Sequence, residues 1–294
     1  MLLYNPDVNT EFEIRRDILI IRELFSLTQD EIAKVLGVEP RTVRRIEGGE
    51  PFELNAQSRE RFYSFVFRRL EGFQKLKSSM RKETLKKGEV LLFHGSKKGI
   101  EGNVSVEKGS DFNDFGKAFY AGEAYEQSAM FVSDCPGSSI YLFSFNAKGL
   151  SFKRYGLLHD WLLLVGYHRG MLEKYKDHPL LKKTIEESER YDYLIAPIAD
   201  NRMFAIIDSF LAGETTDEQC MHCLQASSLG EQYVIKSEKA AGRLKMLERF
   251  YLCKEELAKY SSFRKEDWAS NQAKVRLSRI EYKGKGKYID EILC

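Results

Sequence analysis

The spacing of apolar residues changes character at Gly88, and that change limits the chain to folds joining a helical unit to a sheet-bearing one. Before Gly88, apolar residues recur every three or four positions. "EIRRDILIIRELFSL" sets Ile14, Ile18, Ile21 and Phe25 at helical spacing, and "RERFYSFVFRRLEGFQKLKSSMRKETLKK" keeps the same step to about Lys87. After it come short apolar runs separated by turn residues. "VLLFHG", "SIYLFSFN", "YDYLIAPI" and "QYVIKS" read as strands, and "EAYEQSAMFV", "RMFAIIDSFLAG" and "TDEQCMHCLQAS" as helices. The expected fold class is α+β. An all-α bundle should span residues 10–85, a mixed domain 86–250, and a helical, basic extension 251–294, in which "KEELAKYSSFRKEDWASNQAKVRL" precedes a lysine–glycine-rich tail.

Composition narrows the function classes. With 294 residues, 43% of them hydrophobic, the chain can bury the cores of about two domains. A formal net charge of +2 announces no nucleic-acid partner by itself, so any such role must rest on motifs. No run approaches the ~20 apolar residues of a membrane helix, and the first residues lack the order of a signal peptide, which makes a cytoplasmic location the default and a membrane partner unexpected. Five cysteines, an odd and scattered set, suit a reducing compartment. "CMHC" places Cys220, His222 and Cys223 together, but Cys135 and Cys253 offer no partner spacing for four zinc ligands. These residues read as buried helix positions, and no metal is expected.

The helical unit is punctuated. Thr28 is a good N-cap for "QDEIAKVL", Gly37 can end that helix in a left-handed conformation, Pro40 suits a helix's first turn, and Gly48-Gly49 stops the next helix. The segment "LTQDEIAKVLGVEPRTVRRIEGGE" resembles the Xre/Cro-type repressor family in Leu27, Thr28, Gln29, Glu31, Ala33, Gly37, Val38, Val43, Ile46 and Glu47. That resemblance implies a helix-turn-helix fold whose third helix enters the DNA major groove, presenting Glu39, Arg41, Thr42, Arg44 and Arg45, and a homodimer on a palindromic operator. A bundle that only dimerises or docks a partner protein is the alternative.

A second constellation lies downstream. "LLFHGS" sets His94, Gly95 and Ser96 at the end of an apolar strand, "DFGKAFYAGEAYEQSAMF" follows, and "GEQYVIKS" opens a later strand. The three together resemble the ADP-ribosyltransferase superfamily. The run from Gly88 to Lys245 is similar to a bacterial family catalogued as a domain of unknown function and assigned to that superfamily. The resemblance implies a split sheet with NAD, as co-substrate, in the cleft. His94 and Gly95 match the His-Gly dipeptide that holds the adenosine-side ribose hydroxyl and the nicotinamide amide. Tyr120, next to Phe119, matches the tyrosine after the second strand. Ser128 and Phe131 match the serine and aromatic of the following helix, and residues three apart there share a face. Tyr120 and Phe131 are thus expected to sandwich the nicotinamide ring.

The third motif departs from the superfamily pattern. Where many members carry a glutamate, this chain has Gln232 at the matched position and Glu231 just before it, so either of the two is a candidate for the third catalytic residue. Glutamine can hydrogen-bond the ribose 2-hydroxyl, but it supplies no negative charge against an oxocarbenium-like transition state. Asp200, after an apolar strand, is the expected second carboxylate or a helix N-cap, and Asp114 is a weaker candidate that equally suits a turn. The expected activity is NAD-dependent mono-ADP-ribosyl transfer to a protein or nucleic-acid acceptor, as the toxin of a toxin-antitoxin or anti-phage module with an antitoxin protein partner. A regulator that senses NAD or ADP-ribose without catalysis, and an NAD glycohydrolase, are the alternatives.

Overall fold

Residues 12–199, 201–226 and 230–293 are described by a computed structural model. The first helices, α1 (Ile14–Phe25), α2 (Gln29–Leu36) and α3 (Pro40–Gly48), start and stop where capping chemistry sets them. Thr28 Oγ1 accepts from the Glu31 N–H at 3.2 Å while the Glu31 carboxylate accepts from the Thr28 N–H at 2.7 Å, so two otherwise unpaired donors are satisfied reciprocally. Gly37 closes α2 at φ 70° and Gly49 closes α3 at φ 84°, a conformation that favours glycine. With α4 (Ala56–Arg69) and α5 (Phe73–Lys82), these helices bury Ile18, Ile32, Leu36, Val43 and Phe62 in one cluster.

The remaining chain runs β1 (Glu89–Ser96), β2 (Phe119–Gly122), α6 (Tyr125–Val132), β3 (Ser139–Asn146), β4 (Phe152–Arg154), α7 (His159–His168), α8 (Pro179–Ser188) and β5 (Tyr193–Pro197). It continues through α9 (Asn201–Leu211), α10 (Asp217–Gln225), β6 (Glu231–Ile235), α11 (Glu238–Ala241), β7 (Leu244–Tyr251), α12 (Lys254–Glu281) and α13 (Ile289–Ile292). The mixed helix-and-sheet class read from the sequence is what the chain adopts, with a helical N-terminal region.

Seven strands form one sheet in the order β4-β5-β6-β2-β1-β3-β7, antiparallel except for β4 with β5. β1 pairs with β3 at eight positions but with β2 only at Phe93 and Gly122. The sheet is therefore two halves joined at a seam. Leu92, Phe143 and Phe145 of one half share a core with Phe119, Tyr193 and Tyr233 of the other, and Phe145 meets Tyr193 and Tyr233 edge-on at 5.2 and 6.2 Å. On their other faces, one half packs against α7, α9 and α10 through Leu194, Val234, Trp161 and Phe210, and the other against α6 and α12 through Phe93, Ile140, Tyr125 and Tyr260.

Packing crosses both boundaries expected from the sequence. Cys253 belongs to the α1–α4 core, and Ile289 and Leu293 to the core beneath α7 and α10. Between the helical unit and β7 lies a buried ion cluster. Lys77 of α5 holds both Asp17 carboxylate oxygens at 2.8 and 2.9 Å and also pairs with Glu248 of β7, and all three residues are at most 1% exposed. Tyr63 donates to Asp17 at 2.7 Å, and Arg81 reaches Glu248 at 3.2 Å and Glu13 at 3.0 Å. Burial raises the Asp17 pKa against the pull of Lys77. At Glu248 burial acts the same way, but the charges of Lys77, Arg81 and Arg16 outweigh it and hold that carboxyl below its usual range. No helix among the described residues is long and apolar enough to cross a membrane.

Candidate active site

The seam sets which candidate residues meet. Successive strand residues point to opposite faces. On β2, Phe119 and Ala121 face the core between the half-sheets, whereas Tyr120 packs on the reverse side with Val234 and Leu194. His94, two residues beyond Leu92, lies on the inner face, and its ring stacks on Phe119 at 4.4 Å and 27°. Glu231, two residues before Tyr233, falls on that face as well.

His94 is held in one tautomer. Its Nδ1 lies 2.6 Å from the Tyr120 carbonyl oxygen, which can only accept, so Nδ1 carries the proton and Nε2 is left as an acceptor. Burial pushes the ring's pKa down, more than the carbonyl bond raises it, so the imidazole is neutral through the neutral pH range. Gly95 is demanded by a close approach. A Cβ there would meet the Ser128 carbonyl oxygen at 2.7 Å and Val132 at 2.9 Å, because α6 lies directly on β1. Ser128 is buried and donates to the Phe93 carbonyl at 3.2 Å, tying the helix to the strand, and Ser96 donates to the Gly99 carbonyl at 2.9 Å. Phe131, on the same helix, is 62% exposed with the Lys97 ammonium 5.3 Å from its ring centre. Beyond Phe93, no strand among the described residues pairs with the β2-facing edge of β1.

Across the seam, Glu231 forms an ion pair with Arg154 at the end of β4, and both side chains are about half exposed. Beside them Tyr233 donates to Glu123 at 2.6 Å. The bond to Glu231, reinforced by Tyr233 and Glu123, raises the Arg154 pKa. The inner face thus gathers a free imidazole acceptor, a carboxylate, a cation and an aromatic floor.

Two expectations need correction. Tyr120 does not stand opposite Phe131. Its hydroxyl accepts from the Phe115 N–H at 3.1 Å and donates to the Gly116 carbonyl at 2.8 Å, and burial drives its pKa up. Phe119 takes the place beside His94 instead, because strand alternation turns the neighbouring side chain away. Gln232 likewise lies on the reverse side, 7% exposed, donating to Asp114 at 2.9 Å and to the Pro197 carbonyl at 3.2 Å. Asp114 is buried there, paired with Arg169 and accepting from the Ala199 N–H at 3.1 Å, so Gln232 and Asp114 brace the fold behind the site. Asp200 lies outside the described residues. A cavity of about 430 Å³ on this reverse side, lined by Phe112, Phe115, His168 and Lys236 among others, contains none of the inner-face residues.

Residues 90–246, just over half of the chain, match the family described as "Protein of unknown function (DUF3990)". The chain belongs to that family. No curated protein and no solved structure matches it. The DUF3990 span runs from β1 into β7 and contains His94, Phe119, Phe131, Arg154 and Glu231, while α1–α5, α12 and α13 lie outside it.

Elsewhere, Arg41, Arg44 and Arg45 of α3 are exposed beside the half-exposed Thr42, with Arg45 paired to Glu50 at 2.6 Å. In α10, Cys220 and Cys223 direct their thiols at the Ile206 and Val275 carbonyls, and His222 stacks on Tyr282 at 3.5 Å. Sequence reasoning did not single out Arg154. A three-residue strand carries no periodic signal, and its partner lies 77 positions away.

Proposed function

We propose that the DUF3990 unit binds NAD at the seam and cleaves its nicotinamide–ribose bond, transferring ADP-ribose to an acceptor, with Glu231 rather than Gln232 as the catalytic carboxylate. The observation that carries this reading is the shared inner face of His94, Phe119 and Glu231 beside the unpaired edge of β1. The resemblance of "LLFHGS", "DFGKAFYAGEAYEQSAMF" and "GEQYVIKS" to ADP-ribosyltransferases supports it.

In this reading the His94 Nε2 accepts a hydrogen bond from a ribose hydroxyl, the backbone at Gly95 takes the carboxamide, and Phe131 covers the nicotinamide ring. Glu231 accepts from the 2-hydroxyl of the reacting ribose. That bond strengthens as positive charge develops on the ring, which lowers the barrier more than it tightens ground-state binding. Arg154 holds Glu231 in place through their ion pair and turns toward the pyrophosphate when NAD enters. The helices α1–α3 form a helix-turn-helix that docks α3 on an operator, through Arg41, Thr42, Arg44 and Arg45, for autoregulation of a toxin module. The Arg154–Glu231 ion pair also favours one second reading, a sensor in which Arg154 never releases the carboxylate and NAD is bound intact.

Radiolabelled NAD incubated with the protein and a cell lysate tests both. Glu231→Gln should cut nicotinamide release by roughly 10²-fold or more while NAD affinity changes little. Wild-type release from Glu231→Gln would refute the assignment, and binding without any release from the unmodified protein would select the sensor.

A further inference from the structure

The lysine–glycine tail has no part in the reading above, yet the fold holds it still. Between Lys274 and Tyr288 the chain carries six Lys or Arg against one Glu, while the whole chain has a net charge of only +2. After α12, the Lys285 carbonyl accepts from the Thr216 hydroxyl, the Lys287 carbonyl accepts from the Asp217 N–H at 2.9 Å, and the Lys287 N–H donates to Asp217 Oδ1 at 2.7 Å. Gly286 passes so close to α10 that a Cβ would lie 2.2 Å from Asp217 Oδ1. Tyr282 is clamped by its stack on His222, and Ile289 just beyond the loop is buried at 1% exposure. The backbone is fixed, but the side chains of Lys274, Arg276, Lys283, Lys285 and Lys287 are exposed and form no ion pair among the described residues. The Lys285 ammonium lies 4.6 Å from the centre of the Tyr282 ring. Exposed Tyr288, Leu277 and Ile280 stand among these cations.

We infer that this surface, the last turns of α12 and the loop 282–288, binds the backbone of a single-stranded nucleic acid. Five exposed cations on a fixed scaffold match a phosphate chain in charge, and aromatic and apolar side chains interleaved with cations suit stacking of unpaired bases. A flexible strand can follow a convex helix end and a projecting loop. A stiff duplex would meet such a convex surface at only a few phosphates, and its paired bases offer Tyr288 no face to stack on. The two exposed aliphatic side chains are too few to form the apolar face of a membrane-surface helix. The site shares no residue with α3 or with the seam, so it stands apart from both operator binding and NAD chemistry.

Fluorescence anisotropy with the full chain, a labelled 20-nucleotide oligo(U) and a labelled duplex of equal length, over a salt series, tests the inference. The single strand should bind with a salt slope of about −0.7 per phosphate contact, and Lys283→Gln/Lys285→Gln/Lys287→Gln should flatten that slope by about 2 and weaken binding at least tenfold. Thermal melting of this variant should match the unmodified chain, because all three side chains are exposed. Arg41→Ala/Arg44→Ala should leave single-strand binding intact. Nicotinamide release should be the same in the triple variant, so failure here is separable from failure of the proposed activity. Single-strand binding unchanged in the triple variant would overturn the inference. So would tighter binding of the duplex, or equal competition by polyglutamate of matched charge, which would mark an acidic-polypeptide site.

Discussion

Replacing Lys77 by methionine, which keeps most of the unbranched side chain and removes its charge, tests how the helical unit is fastened to the sheet. Glu248 would keep Arg81 at 3.2 Å and Arg16 at 3.7 Å, but Asp17, with no exposed surface, would keep among the described side chains only the Tyr63 hydroxyl. Breaking a buried pair from one side costs about 3 to 5 kcal/mol, a large part of a typical folding free energy of roughly 5 to 15 kcal/mol. The loss must depend on pH. Without Lys77 the folded-state pKa of Asp17 rises further above its unfolded value of about 3.9, so the folded variant binds the proton more tightly than the unfolded chain does. Its stability therefore falls as pH rises from that unfolded value through the folded one, and returns on acidification. Guanidinium unfolding followed by circular dichroism should show the full deficit at pH 8 and a smaller one at pH 5. Adding Asp17→Asn to Lys77→Met should recover most of it at pH 8, since no charge is then left unpaired. A deficit below about 1 kcal/mol, or one equal at both pH values, would refute the reasoning.

Gly95→Ala should lower stability by about 1 to 3 kcal/mol and weaken NAD binding in calorimetry, because α6 must move off β1 to admit the methyl group. Glu256 is buried against the Tyr125 hydroxyl at 2.7 Å, and burial raises its pKa from 4.5 to about 7. The folded state therefore holds its proton better than the unfolded state, and that stability fades between those two values as pH rises. Glu256→Gln should stabilise the protein by roughly 1 to 3 kcal/mol at pH 8 and hardly at all at pH 4, checked by melting at both. Thr28→Ala removes one side of the α2 cap and should cost about 1 kcal/mol in denaturant unfolding.

What could be read from the sequence was local. Thr28, Gly37, Pro40 and Gly49 announce helix ends because caps and left-handed turns depend on a few adjacent residues. Apolar runs such as "SIYLFSFN" announce strands for the same reason. The face on which a residue falls was not legible. In β6 every residue from Gln232 to Ile235 is buried, so no alternation of polarity tells Glu231's side from Gln232's, and only pairing with β2 and β5 decides it. The same holds for Phe119 and Tyr120. Charged residues misled in the other direction. Asp17 and Lys77 lie in helices whose charges look like solvated faces, and Glu248 interrupts β7, yet the three form an ion cluster at most 1% exposed. Their partners lie 60 and more positions apart, beyond any sequence window.

Each end of the sheet leaves a strand with one open edge, a ready template for pairing with another chain. At β4 the exposure is limited to three residues, two of them the charged Lys153 and Arg154. β7 is eight residues long, and the N-terminal segment screens it: Phe12 bridges to Arg249, and Gln74 donates to the Tyr251 carbonyl at 3.3 Å. Whatever α1–α5 contribute to recognition, they also act as a guard against aggregation. A fragment beginning at Gly88 would expose that edge together with the orphaned Glu248 carboxylate. Deleting the helical unit should therefore yield insoluble strand-paired material rather than a free catalytic domain.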